Sequence, residues 1–203
     1  EKPKFLVQWK EKLESWKERS TAVIDTSNLP KSDITPIIPP TPPIIGEPIR
    51  LKSAQINMGE VWELIDKKSL FKLSWGLRGK AGADSEADHE TLLNEWKIRI
   101  IREKLFEPEI VYGYFKCHNK DGKLQVDNPN DTSVEFDFPR SSKSSHLCLT
   151  DYFGEDDIVA FQAVTVGNKV SDVIEKWNKE DKYADAYYLH GLAVEVAEAL
   201  AEW

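Results

Sequence analysis

The chain predicts an α+β fold: an antiparallel sheet flanked by helices, preceded by a helical and proline-rich arm. Three observations carry this. Residues 110–138 alternate apolar and polar side chains around Asn119-Lys120-Asp121-Gly122, the pattern of antiparallel strands with one wet face. A second apolar run, residues 158–166, reads as a central strand. Two helical stretches then follow one another instead of alternating with further strands.

Length and charge narrow the classes of function. At 203 residues the chain fits one domain, or one domain with an appended arm. A net charge of −8 gives it no electrostatic reason to seek nucleic acid or an anionic membrane. No apolar run approaches the ~20 residues that span a bilayer, and Glu1-Lys2-Pro3-Lys4 opens no signal-peptide core. Cys117 and Cys148 are too few for a disulfide framework, so a reducing cytoplasm is expected, with a single disulfide left open.

The elements follow in order. Phe5, Leu6, Trp9, Leu13 and Trp16 recur at helical spacing, giving a short amphipathic helix over 4–19. Its stripe is too narrow to support a core alone, so Trp9 and Trp16 are expected to meet a neighbouring domain. Seven of the eleven prolines fall within 27–48, which predicts an extended segment lying along a protein surface. Residues 1–47 therefore read as a helix plus proline-rich linker arm, and 48–203 as the main body.

The body opens with a helix over about 58–66. Leu70, Phe71, Leu73 and Trp75 form a short apolar segment, closed by loop-forming Gly76 and Gly79. A helix over 88–104 carries Leu92, Leu93, Trp96, Ile100 and Ile101 on one face and stops before Pro108. Strands follow at 110–115, around Leu124 and Val126, and over 134–138, then a serine-rich loop at 141–145. Val170, Val173, Ile174 and Trp177 define one helix face. The last helix starts near Tyr183, with Leu189, Leu192, Val196, Ala199, Leu200 and Trp203 as its buried stripe. Glu195, Glu198 and Glu202 lie on another face, which read alone is a solvated acidic stripe. Trp62, Trp75, Trp96, Trp177 and Trp203 are expected in the core.

Several chemistries have no footing here. His89, His118, His146 and His190 show no metal-ligand spacing. Cys117 and His118 are strand neighbours pointing to opposite faces, and His146 with Cys148 supplies only a pair. His190 is expected to pack or hydrogen-bond locally. There is no Gly-x-Ser-x-Gly, P-loop or dinucleotide-binding glycine pattern.

Four stretches, in order, carry a resemblance: Leu64-Ile65-Asp66 with Phe71 and Ser74-Trp75-Gly76-Leu77-Arg78-Gly79-Lys80; Val111-Tyr112-Gly113-Tyr114-Phe115; Phe161-Gln162-Ala163-Val164-Thr165-Val166-Gly167; and Leu192 to Trp203. Together they resemble the C-terminal activation domain of cobalamin-dependent methionine synthase. The proline arm is similar to that family's linker from its cobalamin-binding domain. The resemblance implies a methyltransferase component that binds S-adenosylmethionine for reductive methylation of cob(II)alamin to methylcobalamin. It implies cobalamin held by a neighbouring domain and an electron from flavodoxin or an equivalent reductase.

No side chain must move a proton in that reaction, so no catalytic acid or base is expected; the work is positioning and electrostatics. The resemblance assigns Asp66 to contact with S-adenosylmethionine and matches Glu198 to a second carboxylate near the pocket. Read without it, Asp66 is an exposed aspartate near a helix end. The family's later Arg-Pro-x-x-Gly-Tyr-Pro-Ala-Cys-Pro segment has no counterpart in these residues. The domain is therefore expected to be C-terminally incomplete, and the isolated chain inactive alone. A different class stays open beside this: a non-catalytic docking module, whose arm and acidic faces bind a cobalamin domain or a flavodoxin-like electron donor.

Overall fold

The computed structural model describes residues 29–37, 40–77, 86–128 and 132–203. The expected helix at 4–19 lies outside the described residues. Two compact units divide the chain, Glu1–Pro42 with Phe115–Val159 and Pro43–Tyr114 with Ala160–Trp203.

The strands are β1 (Ile49–Lys52), β2 (Glu109–Lys120), β3 (Lys123–Val126), β4 (Val134–Phe136) and β5 (Asp157–Thr165). They form an antiparallel sheet in the order β1-β2-β3-β4, with β5 also paired to β2. The central strand is thus β2, not the 158–166 run expected from its apolar letters. β2 pairs through Ile49↔Tyr112 on β1 and Cys117↔Val126 on β3. A twelve-residue strand has the length to serve several partners, whereas most β5 side chains stay exposed or half-exposed.

The β2–β3 turn follows the sequence. Asp121 and Gly122 take φ values of 53° and 82°, the left-handed pair that a two-residue hairpin turn needs. Asn119 Oδ1 accepts from the Gly122 amide at 3.2 Å. Alternation then buries Leu124 and Val126 with Cys117, against Phe115, Phe136, Phe138, Phe153 and Val159.

In this unit the proline-rich segment is tied down by one network. Arg140 and Asp151 form a buried two-pronged ion pair, Nη2 to Oδ1 at 2.8 Å and Nη1 to Oδ2. Both the amide and the hydroxyl of Ser32 donate to Asp151 Oδ2. The Arg140 guanidinium, then Ser32, hold the Asp151 carboxyl well below the usual range. Ile34 and Ile45 are half-buried while Ile37 stays exposed. Both cysteines are buried free thiols, and burial pushes Cys117 up to about 11.

Among the described residues, the second unit holds the larger core and the α-helices α1 (Met58–Glu63), α2 (Lys67–Ser69), α3 (Glu86–Glu103), α4 (Lys169–Lys179) and α5 (Tyr183–Glu202). Alanine-rich α5 is a strong helix former, and Leu189, Leu192 and Val196 are fully buried. Each such side chain contributes about 1.5–3 kcal/mol by leaving water. On α3, Leu93, Trp96 and Ile100 are buried as expected, whereas Ile101 is 69% exposed. On α4, Val170 and Trp177 are buried. Arg99 lies over the rings of both Trp96 and Trp177, at 4.9 and 4.4 Å. Trp62 is half-buried and stacks on Phe106; Trp203, expected in the core, is 37% exposed and donates to Glu60. His190 is exposed.

Candidate functional site

The segment after α2 is not a plain apolar loop. Leu70–Ser74 forms one π-helical turn, closed by the Trp75 amide on the Leu70 carbonyl at 2.8 Å. Wide turns of this kind occur often at functional sites. Gly76, at φ 64°, ends it, and the Leu77 amide reaches back to the Phe71 carbonyl. The loop-forming glycine signalled this ending, in which the left-handed Gly76 lets the chain turn back on the wide turn.

Asp66 stands at the head of this segment as the N-cap of α2. Its Oδ1 accepts from the amides of Lys68 and Ser69, and Oδ2 from the Ser69 hydroxyl at 2.7 Å. The Ser69 hydroxyl is the first cause holding Asp66 below its ordinary value. The side chain is solvent-exposed. Asp66 is therefore ionised, oriented and accessible, and capping does not close its carboxylate to a ligand.

α5 packs its Tyr188–Gly191–Glu195 line toward the wide turn. A Cβ on Gly191 would meet Trp75 Cδ1 at 3.0 Å and the Ser74 carbonyl at 3.2 Å, tighter than a methyl group ordinarily packs, so glycine suits this close approach. Trp75 Nε1 donates to the Tyr188 carbonyl at 2.9 Å. One turn beyond Gly191, Glu195 Oε1 accepts from the Ser74 hydroxyl at 2.6 Å. Glu195 is 5% exposed, which corrects the solvated acidic stripe: this member of the three faces protein. Burial pushes its carboxyl up; the Ser74 hydroxyl opposes, and the charges of Glu198 and Asp66 add to the rise.

Both carboxylates chosen from the sequence thus lie within electrostatic reach of Glu195. Glu198 itself is exposed. Sequence reasoning missed Glu195 and Ser74 as a pair. The available signal was Gly191, since an interior helix glycine marks a close approach and Glu195 lies four residues further along that face. A cavity of about 560 Å³ bounded by Leu51, Tyr112, Phe161, Leu200 and Trp203 lies elsewhere and includes neither Asp66 nor Glu198. Among the described residues no group of three metal-ligating side chains occurs. Nor is any helix long and apolar enough to cross a membrane.

The family described as "Vitamin B12 dependent methionine synthase, activation domain" matches residues 57–203, which include the wide turn, strands β2 to β5 and α5. The chain belongs to this family. Among curated proteins, the activation domain is similar to the methionine synthase of Mycobacterium tuberculosis, 29% identical over 185 residues, and to that of Mycobacterium leprae, 28% identical over 185 residues. Each alignment covers 81% of this chain and 15% of the relative, so the chain spans about a seventh of their length. Among solved structures, the crystal structure of the MetH reactivation domain bound to AdoHcy superposes with a TM-score of 0.63 at 19% identity. It covers 82% of this chain and 56% of that one, and shares the activation domain's α+β fold. These likenesses do not favour a docking module as the chain's main role.

Proposed function

We propose that this activation domain binds S-adenosylmethionine through Asp66 and Glu198. In this reading it serves reductive methylation of cob(II)alamin to methylcobalamin on a neighbouring cobalamin-binding domain. Residues 1–47 act as the linker arm and 48–203 as the activation domain, with flavodoxin or an equivalent reductase supplying the electron in the cytoplasm. The chain is then the reactivation component of a methyltransferase.

The observation that supports the reading is the exposed, oriented Asp66 carboxylate at the head of the wide turn, with Asp66 and Glu198 both within electrostatic reach of Glu195. S-adenosylmethionine presents a sulfonium and an ammonium, and such a cation suits the negative charges of Asp66 and Glu198. Likeness to a reactivation domain bound to AdoHcy supports the same ligand class. Cobalamin supplies the cobalt that accepts the methyl group when present. This chain's own residues orient the donor: Asp66 is fixed by its capping bonds, and Glu195 anchors Ser74.

Calorimetric titration with S-adenosylmethionine tests the assignment. Asparagine caps a helix about as well as aspartate, so Asp66→Asn removes the charge and keeps the turn. The variant, made in a polypeptide that includes the whole activation domain, is expected to bind at least about tenfold more weakly. Unchanged affinity sinks the role of Asp66.

A further inference from the structure

On the second unit, a cavity of about 550 Å³ is lined by Lys67, Lys68, Phe71, Lys72, Leu77, His89 and Glu90. Its charge runs against the chain's. Three ammonium groups face one carboxylate in a protein of net charge −8. Glu90 is already engaged by Lys67, with Nζ–Oε1 at 2.9 Å and Nζ–Oε2 at 3.1 Å, so Lys68 and Lys72 bring two further positive charges. Nearby, Lys97 sits 5.2 Å over the Trp62 ring, held below its ordinary value first by burial and then by the charge of Lys67.

His89 adds a second, independent observation. Its Nε2 is buried with no hydrogen-bond partner among the described residues. Its ring lies 5.3 Å from Phe71, tilted by 51°. A buried polar nitrogen without a partner is costly, and such groups ordinarily answer to a ligand or an ordered water. Phe71 and Leu77 give the same cavity apolar wall.

We propose that this cavity is an oxyanion site of the phosphate class, with the Lys68 and Lys72 ammonium groups as donors and the His89 ring in its wall. Lysines are compact point charges suited to phosphate, and the apolar wall accommodates a carbon substituent on a phosphate monoester. The lining of this cavity includes neither Asp66 nor Glu198, although the Lys68 charge also acts on Asp66, and its test uses no S-adenosylmethionine.

The test follows the His89 ring resonances by NMR in the full 203-residue chain. Inorganic phosphate and phenyl phosphate are titrated separately, with sodium chloride holding ionic strength constant. A saturable shift is expected, with its midpoint raised about tenfold in Lys68→Gln/Lys72→Gln. A lower midpoint for phenyl phosphate names an organic phosphate as the occupant; equal midpoints name the free anion, and both support the site. Both lysines are exposed, so the variant should fold, with circular dichroism as the check. Should it not, Lys72→Gln alone is expected to raise the midpoint about threefold. A shift that never saturates, or a midpoint that the lysine variants leave in place, overturns the proposal.

Discussion

A carboxylate 5% exposed, with two more acids within electrostatic reach, favours its neutral form. Glu195 is in that position, and its Ser74 bond only partly offsets the burial. The linkage has a definite sign. The folded state holds the Glu195 proton more tightly than the unfolded chain, whose glutamate titrates near 4.5. Stability from this group is complete below that pH and is lost as pH rises through the raised folded value. Glu195→Gln, which stays neutral, is expected to remove this loss. Urea midpoints of wild type and variant should therefore diverge above about pH 4.5, with the variant gaining as pH rises. Parallel curves would show that Glu195 is not buried as described.

At the scale of elements, the contact between α5 and the wide turn organises the candidate site. The apolar stripe of α5 was legible, since Leu189, Leu192, Val196, Ala199 and Leu200 fall at helical spacing and all are buried. The wide turn was not. One extra residue in a helical turn leaves no periodic mark, so Leu70–Ser74 reads as a short apolar segment. Gly191 joins the two elements, and its role is testable against intrinsic preference. Alanine is the better helix former by about 1 kcal/mol. Here its methyl group would meet Ser74 and Trp75 at 3.0–3.2 Å. Gly191→Ala is expected to destabilise the protein by about 1–3 kcal/mol, read as a lowered urea midpoint. A stabilised variant would mean that the turn gives way freely.

For the whole molecule, the α+β class, the hairpin at Asp121-Gly122 and the helix order were legible because each rests on local pattern. The strand at the centre of the sheet was not, because pairing is a long-range property that apolar content does not specify. Nor was the Arg140–Asp151–Ser32 network, which joins residues up to 119 positions apart in sequence. Its side chains are nearly buried, at 10% and 4% exposure for the ion pair. Asp151→Ala strands the Arg140 guanidinium and is expected to cost about 3–5 kcal/mol. Hydrogen exchange should quicken in the first unit, at Ser32 and along β3 and β4. Unchanged exchange there would show that the network does not hold the segment.

The central claim is that a cationic methyl donor lies against Asp66, at the turn that α5 supports. A crystal structure of a polypeptide including the whole activation domain with S-adenosylmethionine tests it most directly. The account predicts the ligand within hydrogen-bonding distance of the Asp66 carboxylate, with Glu198 beside it. Ligand density confined to another cavity, such as the one bounded by Tyr112 and Phe161, would contradict it.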